Sequence, residues 1–241
     1  MDMTSRVSNT TVAVFTGFVG LALLAVTNWG DDAFVLAIMR EDGPIENVTA
    51  IMYLLGAIAC GIALYRRQNF LLAGIWLFLC VLFLGEETSW FQRLFDYSVP
   101  EVEKMNVQAE FNLHNLTLFG GGRVLVPDGV NLSMETLLNS QNIFRLGFAS
   151  YFLLLPALCV LPRFRRFAVG LGYVVPSPLL LFTAWSLIAV SFVVTVTTVP
   201  PVKAYVAEAR ELFYATAIFF YVSGLTKPQP AAGKAREQYA R

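Results

Sequence analysis

The chain is poor in the residues on which most chemistry relies. It has one histidine, His114, three cysteines, and charged residues at only 14% of its 241 positions. A soluble domain usually carries about 25% charged residues. The shortage of charge, with a mean hydropathy of +0.61, excludes an ordinary soluble fold and points to a polytopic membrane protein. Basic and acidic residues balance at 17 each, so no basic field for nucleic acid exists. Cys60, Cys80 and Cys159 all fall inside apolar runs. They read as small buried hydrophobes rather than disulfide partners or metal ligands. No internal repeat, soluble domain or G-x-S-x-G elbow is present. Ser89 therefore lacks the setting of a hydrolase nucleophile.

Long uncharged runs fill the remainder. The expected fold class is all-α: a transmembrane helix bundle of six spans at about 11–29, 46–65, 70–91, 143–161, 177–199 and 207–225. The first run is too long for a signal-peptide core and is read as a retained helix. Gly56, Ala57, Cys60 and Gly61 give the second span a small-residue face for close packing. Arg66 and Arg67, the cluster Arg163, Arg165 and Arg166, and the tail with Lys227, Lys234, Arg236 and Arg241 belong on one side. The positive-inside rule makes that side cytoplasmic and puts both termini there. The loops around residues 30–45, 92–141 and 200–207 then face outward. No soluble domain interrupts residues 1–241, which form one integral-membrane domain.

The organising stretch runs from Gly85 to Asn115. It opens with Glu86 and Glu87 at the end of an uncharged run and closes on His114. At about 1.5 Å per residue, Glu86 lies roughly 24 Å into a hydrocarbon core about 30 Å thick. Counting back from Lys227 puts Glu211 at a similar depth. Ionisable groups at that depth need partners and usually mark function. Glu86, Glu87, Arg93, Glu208, Arg210 and Glu211 are therefore expected to converge on a polar pocket at the outer face. The plainer alternative is a salt-bridge network that fixes helix packing. Glu110 and His114 share a face if their segment is helical, a spacing usable by one divalent metal ion with a carboxylate from Glu86 or Glu87. The alternative is a hydrogen-bonded structural histidine. Residues 107–114 alternate apolar and polar, a strand pattern. An isolated strand at a membrane surface would leave its backbone unpaired, so a short interfacial helix is expected. Trp90, Phe91 and Phe95 read as an aromatic belt.

The sequence E-E-T-S-W-F-Q-R followed by N-V-Q-A-E-F-N-L-H-N, with E-D-G-P-I-E-N-V-T-A upstream, resembles a family of bacterial multi-pass membrane proteins. Typical members read E-E-x-S-W-G-Q-R and then N-x-Q-x-E-x-N-x-H-N; this chain has Phe91 where they have glycine. The likeness covers about 70 residues in its specific part. It implies a bacterial inner membrane and an outer-face site, and names no reaction. A fainter likeness to alkaline ceramidases stops at their three-histidine zinc site, which one histidine cannot supply. The site expected from the motif has Glu86, Glu87, Glu110 and His114 as catalytic groups. Arg93, Gln108, Asn112, Asn115, Arg210 and Glu211 are the expected substrate contacts, and Glu110 with His114 the expected metal pair. The functions in view are a hydrolase or transferase acting on membrane lipids or lipid-linked substrates, a non-catalytic subunit among other membrane subunits, and a cation or proton transporter. Transport is disfavoured because the cytoplasmic halves of the spans carry no matching charges.

Overall fold

The structure is a computed structural model, and it describes residue 20 and residues 32–40, 43–106, 109–122, 139–197 and 202–227. The protein is all-α, as its apolar runs require. Among the described residues the α-helices are, in chain order, α1 (Asp32–Met39), α2 (Pro44–Tyr65), α3 (Phe70–Glu87), α4 (Gln92–Phe95), α5 (Pro100–Glu103), α6 (Ser140–Ala149), α7 (Leu155–Leu158), α8 (Pro162–Gly170), α9 (Pro178–Thr197) and α10 (Val202–Gly224). One isolated antiparallel bridge, Asn106 to Leu116, is the sole strand-like pairing among the described residues. Among the described residues, two stretches are long and apolar enough to cross a membrane, Ala33–Tyr65 and Phe70–Glu87. Pro178–Val193 is a shorter apolar helix. Residues 11–29, read as the first span, lie outside the described residues apart from Gly20. The stretch read as the fourth span is helical but not uniform: a π turn at Ser150–Leu154 separates α6 from α7.

The chain forms two compact units, Met1–Val81 with Cys159–Arg241, and Leu82–Leu158. In the first, α10 is the central helix, and α1, α2 and α9 pack on it. Leu212 through Ile218 are all buried. A helix buried all round is a core helix, and its neighbours supply the outward faces. α2 starts cleanly because Pro44 sits at its first position, where a missing N–H costs nothing. Its small face works as the sequence implies: Gly56, Ala57 and Cys60 are buried, and a Cβ on Gly56 would stand 3.0 Å from Cys80 Sγ and 3.6 Å from Val222. Trp76 of α3 meets Tyr221 of α10 edge-on at 5.7 Å, and Asn69 Nδ2 donates to the Leu225 carbonyl at 3.1 Å. Tyr221 donates its hydroxyl proton to the Val174 carbonyl at 2.8 Å.

The second unit is assembled around the end of α3. Phe83 packs edge-on against Phe144 of α6, and the stack continues through Phe148 and Phe152. α3 stops abruptly. Thr88 Oγ1 donates back to the Leu84 carbonyl at 2.8 Å, and Ser89, Trp90 and Phe91 follow with φ of 45°, 53° and 63°. Three consecutive non-glycine residues in the left-handed region are costly, at about 1–2 kcal/mol each. A glycine at position 91 would occupy this conformation without steric penalty. Phe91→Gly is expected to raise stability by about 0.5–1 kcal/mol, since relief of strain outweighs backbone entropy and the loss of the exposed Phe91–Phe95 ring contact. Chemical denaturation reads this directly, and a loss of stability would contradict it.

Candidate functional site

The reversed turn folds Trp90 back onto its own helix. The indole packs against Gly85, where a Cβ would meet ring carbons at 2.8 Å. Trp90 Nε1 then donates to Glu86 Oε1 at 2.9 Å. Trp90 is thus a hydrogen-bond partner of Glu86. Gly85→Ala is expected to displace the indole and cost about 1–3 kcal/mol, because an overpacked contact must relax by moving one side. A shift in Trp90 emission together with lower thermal stability would report it; unchanged emission would refute it.

Glu86 is the hub. Its Oε2 accepts from the backbone amides of Leu113 at 2.7 Å and His114 at 2.9 Å, and lies 3.2 Å from His114 Nδ1. A single carboxylate at the helix end therefore ties down the distal end of the loop. The His114 carbonyl is held from its other side by the Ser140 hydroxyl at 2.8 Å, next to the Asn139 side chain that caps α6. Backbone bonds fix His114 on both sides, while its side chain stays 41% exposed against 13% for Glu86. With Glu86 ionised, Nδ1 carries the proton in this contact.

Glu110 joins a second cluster. Its Oε2 accepts from Ser89 Oγ at 2.5 Å and from Asn112 Nδ2 at 3.2 Å. Asn112 Nδ2 also reaches Ser89 Oγ at 3.4 Å. Asn112 Oδ1 accepts from Asn106 Nδ2 at 2.8 Å and from the Asn115 amide at 3.3 Å. Ser89, Asn106, Asn112 and Asn115 are all buried. Gln92 bridges outward: Oε1 accepts from the Phe111 amide at 2.7 Å, and Nε2 donates to Glu103 Oε1 at 2.8 Å. Glu103 also receives the Val99 amide and the Ser98 hydroxyl, which fixes the start of α5.

The expected interfacial helix over Glu110–His114 is not formed. Residues 109–116 are a turn-rich loop, entered at Ala109 with φ 57° and closed by the Asn106–Leu116 bridge. Side chains satisfy the backbone that a sheet would otherwise pair, which is how the alternating pattern survives without a partner strand. Glu110, Asn112 and His114 make the polar bonds. Phe111 and Leu113 line an apolar cavity of about 280 Å³ together with Trp90, Val102, Met105, Asn112 and Leu116.

Without the helix, the shared-face reason for a Glu110–His114 metal pair disappears. Among the described residues no group of three or more His, Cys, Asp or Glu side chains is placed to hold a metal ion. Both oxygens of Glu86 are already engaged by N–H donors, a setting for a bound carboxylate rather than a metal ligand. Among the described residues, the donor set for a divalent ion is not assembled.

The other expected site residues fall as follows. Glu87, half-buried, is the last residue of α3. Arg93 lies in α4, and Gln108 is outside the described residues. Arg210 and Glu211 belong to the first unit, on α10. There Arg210 is buried, donates from Nε to Ser191 Oγ at 3.2 Å, and lies 4.3 Å over the Phe192 ring. Sequence reasoning missed Ser89, Gln92, Glu103, Asn106 and Ser140 as members of the second unit's polar network. Ser89 and Gln92 stand inside the motif itself, which was the available signal. Comparisons with family models, curated proteins and solved structures return no match.

Proposed function

We propose that this chain is a multi-pass protein of the bacterial inner membrane in which Glu86 and His114 form a proton-transfer pair, acting at the outer face on a lipid or lipid-linked substrate. The carrying observation is His114 itself. Its backbone is fixed on both sides, its Nδ1 is set against a carboxylate, and its ring is open to the surroundings. That is an arrangement suited to a general base: an oriented, solvent-exposed imidazole with its tautomer chosen by a neighbouring carboxylate. Nε2 would take a proton from an attacking hydroxyl or water and return it to the leaving group, while Glu86 stabilises the imidazolium formed between the two steps. Placement of the pair at the end of an apolar helix long enough to cross a membrane supports a substrate drawn from the bilayer. Six spans, with both termini cytoplasmic, complete the proposed topology.

The test is a comparison of wild-type and His114→Gln protein in reconstituted bacterial lipid, followed by mass spectrometry of the lipids. We expect a time-dependent product with the wild type, its loss in His114→Gln, and unfolding temperatures that agree. Equal lipid profiles would sink the enzyme reading. Reporters fused after Lys227 and inserted near Gly121 test the topology and should fall on opposite sides, the first cytoplasmic. A second reading, a non-catalytic subunit of a membrane complex, draws on a separate observation. The carboxylates of Glu86 and Glu110 bond to the chain's own loop, as a purely structural cap would require. A binding site for a cation, as in a transporter, fits less well with a Glu86 already ringed by donors.

A further inference from the structure

The cavity beside the pair is lined by Trp90, Val102, Met105, Phe111, Leu113 and Leu116, with Asn112 as its one polar side chain. Two of its walls hang directly on Glu86: the Trp90 indole bonds to Oε1 and the Leu113 amide to Oε2. The residue that follows Leu113 is His114. Water is a poor occupant of this space. A bound water needs two to four polar partners. Asn112 is buried and its amide group is already committed to Ser89, Asn106, Glu110 and Asn115. At about 280 Å³ the cavity lies near the small end of ligand pockets, about 300–1,000 Å³. It suits one segment of a hydrocarbon chain and not a whole two-chain lipid. Exposed apolar side chains, Met105 and Leu113, stand at its edge, so a chain can enter from apolar surroundings.

We infer that this cavity binds a single acyl chain of an amphiphilic substrate and thereby holds the polar group of that molecule against His114. The inference rests on the membrane-enzyme reading above and narrows its substrate class. The two-part shape of the site carries it: a dry apolar wall and an exposed imidazole are joined through one carboxylate. A soluble polar substrate would leave the apolar wall without a role. A chain-bearing substrate uses both parts, and Glu86 then aligns the reacting group with the chain that anchors it.

The experiment uses the full chain in lipid nanodiscs with a long-chain fatty acid carrying a diazirine in its chain. After irradiation, labelled peptides are located by mass spectrometry. Phe78, 67% exposed on α3, serves as the reference for ordinary lipid contact. We expect labelling of Met105, Leu113 or Leu116 that saturates and is competed by unlabelled fatty acid, whereas labelling at Phe78 is not competed. Leu116→Phe, or Val102→Phe if that variant folds poorly, should cut cavity labelling at least fivefold and leave Phe78 unchanged. Cavity labelling that is neither saturable nor sensitive to these substitutions overturns the inference. Cross-linking of the cavity to a second polypeptide in native membranes also overturns it, in favour of a subunit contact. His114→Gln should leave labelling intact. If labelling is competed but no turnover depends on His114, the enzyme reading fails and the chain site stands. Turnover that depends on His114 without competed labelling refutes the chain site alone.

Discussion

Glu86→Ala is expected to release the loop from the helix end and to cost about 3–4 kcal/mol. Four N–H donors point at this carboxylate: two backbone amides, the Trp90 indole and His114 Nδ1. Hydrogen bonds to a charged group contribute about 1.5–3 kcal/mol each, but bonds sharing one acceptor do not add. The larger part of the cost comes from what remains. Alanine leaves the Leu113 and His114 amides and the indole without their acceptor in a partly buried setting. Glu86→Gln keeps one carbonyl oxygen, enough for the amides or for the indole but not both, so about half the loss is expected. Denaturant unfolding measures both. Limited proteolysis should show faster cleavage between residues 105 and 122 in the alanine variant. If Glu86→Ala behaved like an ordinary surface change, within about 0.5 kcal/mol of wild type, the loop would have to be held by the Ser89–Glu110–Asn112 cluster alone.

The comparison of sequence with structure turns on this residue. The apolar runs made the all-α class legible, because hydrocarbon length and helical rise are enough to place a helix such as Phe70–Glu87. Within the motif, Glu86, Ser89, Trp90, Gln92, Glu110, Asn112 and His114 are joined by hydrogen bonds among themselves or to the same loop. What each of them does was not legible. Periodicity gave Glu110–His114 two readings, strand and helix, and the loop is neither. Period arguments assume that backbone partners come from backbone, whereas here Glu86, Gln92 and Asn112 side chains accept from the amides of Leu113, His114, Phe111 and Asn115. The left-handed run at Ser89–Phe91 was invisible for the same reason. No local preference of serine, tryptophan or phenylalanine favours positive φ, and only the bonds made on either side of the turn hold it there. Trp90 illustrates the limit best. Composition assigned it to a membrane interface, while Gly85 beneath it and Glu86 beside it give it one fixed position.

Arg210→Ala is expected to lower the stability of the first unit by about 2–3 kcal/mol, from the lost cation–π contact and the lost charged hydrogen bond to Ser191. Arg210 is only 5% exposed, between Ala209 and Leu212 of an apolar cluster that also holds Val35, Met39 and Ile45. Its guanidinium is anchored on α9. Nε donates to Ser191 Oγ, itself buried and donating to the Ile188 carbonyl at 2.7 Å, and the cation lies over the Phe192 ring. A desolvated cation–π contact contributes about 2 kcal/mol. Arg210→Lys separates charge from shape. Lysine keeps the charge but lacks the planar group that stacks on Phe192 while donating sideways to Ser191, so it should recover less than half of the loss. Arg210→Met keeps the volume without the charge and tests the opposite term. If methionine is near wild type while lysine is poor, packing dominates at the α9–α10 contact. If methionine is the worst of the three, the arginine's charge is what its surroundings are built to hold, and the role of that charge becomes the next question to put to α10. Thermal unfolding in detergent, followed by the emission of Trp185 on α9, is the measurement. A loss below about 1 kcal/mol for Arg210→Ala would show that the α9–α10 contact stands without its buried arginine.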